Sequence, residues 1–237
     1  MFSFAVIINQ IYCKMLKNKK TYYQLILDKS GSMNACLNST VSAFNEQLDM
    51  IMALSEKHAD QDFFISLTTF NQEVKIDIDR EVPRKVKKLC KKRILFDEND
   101  SIVYEPTGMT ALYDAIGASI VRLQNTVGEE IKNDLATVVV VIITDGYENS
   151  SRVYSYAQIS GMIKELESTE SWVFTYLSET PDAVEYAASM NIKRSNAVKT
   201  DITNLHEDFD DLMSSLDHYA VKKSQSKKEW LFDSRRK

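Results

Sequence analysis

Residues 137–146 read Thr-Val-Val-Val-Val-Ile-Ile-Thr-Asp-Gly, and the rest of the architecture can be hung on them. Val138 to Ile143 is an unbroken β-branched run. Branching at Cβ restricts χ1 and favours the extended chain. A half-exposed strand would alternate apolar with polar side chains. This run has no polar member, so it reads as a central parallel strand covered on both faces. It ends in Thr144-Asp145-Gly146, which is turn chemistry.

The flanking segments supply the partners such a strand needs. Tyr22 to Leu27 is a second compact apolar run and ends in Asp28. Lys29-Ser30-Gly31-Ser32 then turns the chain. Val41, Phe44, Leu48, Ile51 and Met52 recur at helical spacing and predict an amphipathic helix over 38–57. Phe63 to Phe70 is strand-like, and Val74 to Ile78 alternates apolar with charged residues. Asn71-Gln72 between them reads as a tight hairpin turn, which makes an antiparallel pair at a sheet edge. Residues 80–104 hold a basic stretch, Arg84 to Arg93, between acidic patches and read as a solvated helix or loop.

Pro106-Thr107-Gly108-Met109 is a loop. From Thr110 the helical period resumes, with Leu112, Ala115, Ile116, Ser119, Ile120 and Leu123 on one face. Ile159, Met162, Ile163 and Leu166 mark another helix, and Trp172 to Leu177 another strand. Thr180-Pro181 reads as a helix start. Residues 195–199 fit a short last strand, and Leu205, Phe209, Leu212, Leu216 and Tyr219 a final helix. Strands alternating with helices imply an α/β fold: a doubly wound, mostly parallel sheet with one antiparallel edge strand and helices on both faces.

The chain has 237 residues, 44% of them hydrophobic, enough for one sizeable core. We divide it into an N-terminal extension (1–20), one domain (21–220) and a basic, flexible tail (221–237). Met15 is a candidate alternative start beside Met1. The net charge is -5, which argues against general nucleic-acid binding. The tail is the exception, with seven basic residues against two acidic ones. It could contact nucleic acid or anionic lipid, though Trp230, Leu231 and Phe232 interrupt it, or serve as a docking peptide for a partner. Cys13, Cys36 and Cys90 are odd in number and scattered, so neither a disulfide framework nor a zinc site is expected, and a reducing, cytoplasmic setting fits. The apolar run Phe2 to Ile8 is too short to span a bilayer.

In open α/β sheets, ligands bind beyond the carboxyl ends of the strands. Three polar loops are expected there: Asp28 to Ser32, Gly108 to Thr110, and Thr144 to Gly146. Asp28, Ser30, Ser32, Thr110 and Asp145 offer two carboxylates and three hydroxyls. Hard oxygens select hard cations, and two carboxylates balance one divalent ion. Mg²⁺ is favoured by the low carboxylate count, with Mn²⁺ and Ca²⁺ as alternatives. No His or Cys accompanies the set, which disfavours zinc. Taken singly, each residue also has a plainer reading as turn chemistry or, for Thr110, as a helix cap.

Asp-x-Ser-x-Ser at 28–32 after an apolar strand, Thr110 in Gly-Met-Thr-Ala-Leu-Tyr-Asp-Ala-Ile, and Asp145 in Ile-Ile-Thr-Asp-Gly together resemble the metal-ion-dependent adhesion site of von Willebrand factor A domains. The order and spacing agree over roughly residues 20–220. Thr144 to Ser151 is similar to a form common in small bacterial members. The resemblance implies binding rather than catalysis: Asp and Ser or Thr side chains hold the ion, and an acidic residue of a partner protein completes its shell. Met109 stands where many members have a second Gly, which is expected to alter loop shape.

Around this set, Asp114 reads as a supporting or surface residue. Glu148 is a candidate to tune the metal or repel a partner, and Lys29 reads as solvated. Tyr22, Tyr23, Tyr113, Tyr147, Tyr154 and Tyr156 fall near the proposed face, as packing residues or as an aromatic rim for recognition. His58, His206 and His218 have no identifiable carboxylate or Ser partner, so no catalytic triad is expected. Three functions compete. One is a metal-dependent protein-binding module. Another is a regulatory or structural subunit of a stress-response or ATPase-associated assembly. The last is a Mg²⁺-dependent phosphotransferase or phosphatase, which would need a second Asp where Ser30 stands.

Overall fold

The structure is a computed structural model that describes residues 19–91 and 101–200. Residues 1–18 of the N-terminal extension, the final helix over 205–219 and the basic tail lie outside the described residues, and Lys19 and Lys20 open the first strand.

β1 (Lys19–Asp28), β2 (Gln61–Phe70), β3 (Val74–Glu81), β6 (Ala136–Thr144), β7 (Trp172–Ser178) and β8 (Ala197–Lys199) form one six-stranded sheet in the order β3-β2-β1-β6-β7-β8. All neighbours are parallel except β2 and β3. β3 is the antiparallel edge strand that the 74–78 alternation predicts. The hairpin connection is Asn71-Gln72-Glu73, one residue longer than the pair expected, and Asn71 closes it by accepting the Glu73 N–H at 3.0 Å.

Every residue of β6 is buried, as its β-branched run requires. Alternate side chains divide into two cores. Val139, Val141 and Ile143 join Tyr23, Leu25 and Leu27 on one face, beneath α1 (Leu37–Lys57) with Phe44, Leu48 and Ile51. Val138, Val140 and Ile142 join Ile26, Phe174 and Tyr176 on the other. That face is covered by α2 (Leu112–Lys132), α3 (Tyr156–Ser168) and α4 (Ala183–Ser189). The predicted stripe of α2 is the observed one: Leu112, Ala115, Ile116, Ser119, Ile120 and Leu123 are all buried. Ser119 is accommodated there because its hydroxyl donates to Thr68 Oγ1 at 3.0 Å.

Three local expectations shift. The described part of 80–104 is not a solvated helix. It holds a short 3₁₀ turn at Pro83–Lys85, then β4 (Leu89–Cys90) and β5 (Ile102–Val103), which pair in parallel away from the main sheet. α4 begins at Ala183 rather than at Thr180-Pro181, and its capping position is Asp182. The last strand starts at Ala197, because Arg194–Asn196 form a 3₁₀ turn.

The strand order places the site. β1 connects leftward to β2 through α1, whereas β6 connects rightward to β7 through α3. The winding therefore reverses between β1 and β6, and their carboxyl ends diverge into a crevice. Asp28 ends β1, and Asp145 follows β6 directly.

Candidate metal centre

The crevice collects side chains from four segments. Asp28 is fully buried at the end of β1. Its Oδ1 accepts the Ser30 N–H at 2.7 Å, and its Oδ2 accepts the Thr144 hydroxyl at 2.6 Å. The Tyr104 hydroxyl donates to the Asp28 carbonyl oxygen. Ser30 and Ser32 follow on the turn, with hydroxyls 3.2 Å apart, and the Ser32 hydroxyl donates to Asp145 Oδ1 at 2.7 Å. Four of the five residues singled out in the sequence thus form one continuous polar chain across the switch point.

Thr110 is the fifth, and it arrives differently. It does not cap α2. The helix opens at Leu112 behind Ala111, without a side-chain cap. Gly31 and Gly108 bring the loops together: the Gly31 N–H donates to Gly108 O at 3.0 Å. A Cβ on Gly31 would lie 3.4 Å from that same oxygen. Gly108 has φ +80, a conformation side chains rarely adopt. The Thr110 hydroxyl comes within 4.0 Å of where a Cβ on Gly146 would sit, so a side chain at 146 would narrow the crevice.

Electrostatics mark the pair of aspartates. Burial pushes the Asp28 carboxyl up from 3.8 to about 6. The bonds from Thr144 and Ser30 pull it down, and the charge of Asp145 adds to the rise. Burial raises Asp145 as well, against the hydroxyl of Ser32. Two carboxylates that each resist ionisation in a shared crevice are the arrangement a divalent cation relieves. The donor set fits a hard ion: two carboxylates and three hydroxyls, with no nitrogen or sulfur. Among the described residues no three His, Cys, Asp or Glu side chains gather, so a zinc site of the thiolate–imidazole type is not built. Cys36 and Cys90 are free thiols.

Sequence reasoning missed how the surroundings are tied. Glu148 faces inward. Its Oε1 accepts the Ser150 and Ser151 N–H groups at 2.8 and 2.6 Å. Its Oε2 accepts the Tyr113 N–H at 3.0 Å and the Ser151 hydroxyl at 2.7 Å. That carboxylate is committed to the loop and is not turned toward an ion. Asp114 does the reciprocal work, accepting the N–H groups of Arg152, Val153 and Tyr154. Ser151 Oγ accepts the Asp114 N–H at 3.0 Å. The open N–H groups at the start of α2 are therefore capped by a distant loop. Thr144 was also missed as the partner of Asp28. A buried threonine closing an all-apolar strand needs a hydrogen-bond partner, and that was the available signal.

The tyrosines separate. Tyr22 and Tyr23 belong to the cores, the first bonded to Glu130 at 2.7 Å and the second to Gln47 at 2.6 Å. Tyr113, Tyr147 and Tyr156 gather beside the crevice around Tyr186, whose hydroxyl lies 2.9 Å from that of Tyr113. His58 is buried at the end of α1. His206 and His218 lie outside the described residues.

No protein-family model matches the chain, and no curated protein matches it in sequence. Solved structures do. A von Willebrand factor type A protein from Catenulispora acidiphila superposes with a TM-score of 0.53 at 14% identity, over 83% of this chain and 42% of that one. The fold is the von Willebrand factor A fold. A second structure with this fold is proximal thread matrix protein 1 from the mussel byssus, described with a zinc-occupied MIDAS motif. It gives a TM-score of 0.54 at 14% identity, over 84% of this chain and 46% of that one. In both comparisons this chain spans less than half the length of the protein it matches. Among the described residues no helix is long and apolar enough to cross a membrane.

Proposed function

We propose that the chain is a non-enzymatic, divalent-cation-dependent protein-binding module. Asp28, Ser30, Ser32, Thr110 and Asp145 hold the ion, directly or through water. Bound there, the ion supplies an open coordination position that attracts a partner's Asp or Glu carboxylate. The observation that carries this reading is the polar chain from Ser30 through Ser32 to Asp145, with buried Asp28 beside it, at the switch point of the sheet. The zinc-occupied MIDAS motif of the mussel protein, which shares this fold, supports a divalent ion here. Mg²⁺ is the ion that two carboxylates and neutral oxygens suit best, with Mn²⁺ and Ca²⁺ next.

A phosphoryl-transfer role is disfavoured. That chemistry would need a second Asp where Ser30 stands. Calorimetric titration with Mg²⁺, Mn²⁺, Ca²⁺ and Zn²⁺ tests the ion. One site is expected in the wild type and none in Asp28→Ala. Pull-down from the native host with and without EDTA tests the partner. Equal capture by both proteins in both buffers overturns the reading.

A further inference from the structure

We infer that Asn149 is a positioning residue for the cation site, setting where the Thr110 hydroxyl stands. This rests on the cation-binding reading above and gives a role to a residue outside the donor set.

Asn149 holds Thr110 at two points. The Thr110 N–H donates to Asn149 Oδ1 at 2.8 Å, and the Asn149 N–H donates to Thr110 O at 3.0 Å. Two bonds to one residue fix its main chain in rotation as well as in position. Thr110 needs this, because it precedes α2, and the helix has no side-chain cap of its own. Its chain neighbours are held by another segment: the Met109 N–H donates to Gln72 Oε1 at 3.1 Å and the Ala111 N–H to Asn71 O at 2.7 Å.

Asn149 is in turn placed by its neighbours. Glu148 gathers two loop N–H groups and the Tyr113 N–H, and Asp114 gathers three more, so hydrogen bonds tie the loop after β6 to the start of α2. Asn149 itself is exposed. Its truncation opens no core cavity and removes a single acceptor. Residues that orient metal ligands typically change metal affinity by roughly 10–100-fold when removed. One neutral hydrogen bond on an exposed side chain belongs at the low end, about tenfold.

The test is a double-mutant cycle in Mg²⁺ affinity together with amide hydrogen exchange in the metal-free protein. Asn149→Ala should weaken Mg²⁺ about tenfold in the wild-type background and leave it unchanged in the Thr110→Ala background, because Asn149 acts through that threonine. The Thr110 amide should exchange about tenfold faster in Asn149→Ala, with the amides of Val140 and Ile142 unaffected. Asn149→Asp keeps an acceptor oxygen and should restore the protection. Wild-type affinity in Asn149→Ala, or equal losses in both backgrounds, overturns the positioning role. If the wild type binds no cation, the cation reading fails, and the exchange data alone decide whether Asn149 holds Thr110.

Discussion

Asp28→Asn should stabilise the metal-free protein while abolishing its response to metal. Asp28 is fully buried, and raising its carboxyl from 3.8 to about 6 costs the charged form about 3 kcal/mol at neutral pH. Asparagine has the same shape without the charge. Its Oδ1 still accepts the Ser30 N–H. Its Nδ2 faces the Thr144 hydroxyl, which can turn its own proton toward Gly146 O at 3.3 Å. The apo variant should therefore gain up to about 3 kcal/mol at pH 7, or roughly 6–12 °C in Tm for a domain of this size. The sign with pH follows from the raised value. The folded protein holds the Asp28 proton more tightly than the unfolded chain does. The penalty is absent below about pH 4, grows as pH rises toward about 6, and is complete above that. The Tm advantage of Asp28→Asn should vanish at pH 4. At pH 7, Mg²⁺ at a hundred times its dissociation constant should stabilise the wild type by about 2.7 kcal/mol and leave the variant unmoved. Thermal melts of both proteins at the two pH values, each with Mg²⁺ and with EDTA, read every combination. An apo variant no more stable than the apo wild type at pH 7, or one that still responds to Mg²⁺, refutes the reasoning.

Ser32→Ala removes an exposed hydroxyl from the chain to Asp145, so calorimetry should show Mg²⁺ affinity down roughly 10-fold or more while the apo melting temperature stays nearly constant. Gly117→Ala would ordinarily favour a helix, but its Cβ would lie 2.5 Å from the Tyr154 ring. Overpacking should win, with denaturant unfolding showing a loss of about 1–3 kcal/mol. Gly108→Ala combines the strain of φ +80 with a Cβ 1.7 Å from Gln72 Oε1. It should cost about 1–2 kcal/mol in backbone strain alone, and Gln72→Ala in the same chain should relieve the clash without recovering the strain.

The two cores were legible because hydrophobic period is a local property. The uninterrupted run at 138–143 says that both faces of β6 are dry, and the spacing of Leu112, Ala115, Ile116 and Ile120 names the buried side of α2. The β2–β3 hairpin was legible from the alternation at 74–78 and the turn residues before it. The short β4–β5 pair was not. Two-residue strands carry no period, and charged neighbours hide them.

The carboxyl-end rule of open α/β sheets and the resemblance to a known motif named the candidate donors in advance, but the residues themselves specify oxygen chemistry and not proximity. Ser32 and Asp145 are 113 positions apart, and Asp28 and Thr144 are 116. They meet because β1 and β6 lie side by side where the winding reverses, and that order is settled by the packing of whole strands and helices. The same holds for Glu148 and Asp114. From sequence, Asp114 reads as a supporting or surface residue and Glu148 as a group that tunes the metal or repels a partner. The folded chain instead turns both inward onto main-chain N–H groups that the start of α2 and the loop beside it leave open. Local side-chain chemistry was enough to name what each segment is. Which loop comes to rest against which is a long-range contact, and it exists only once the sheet has formed.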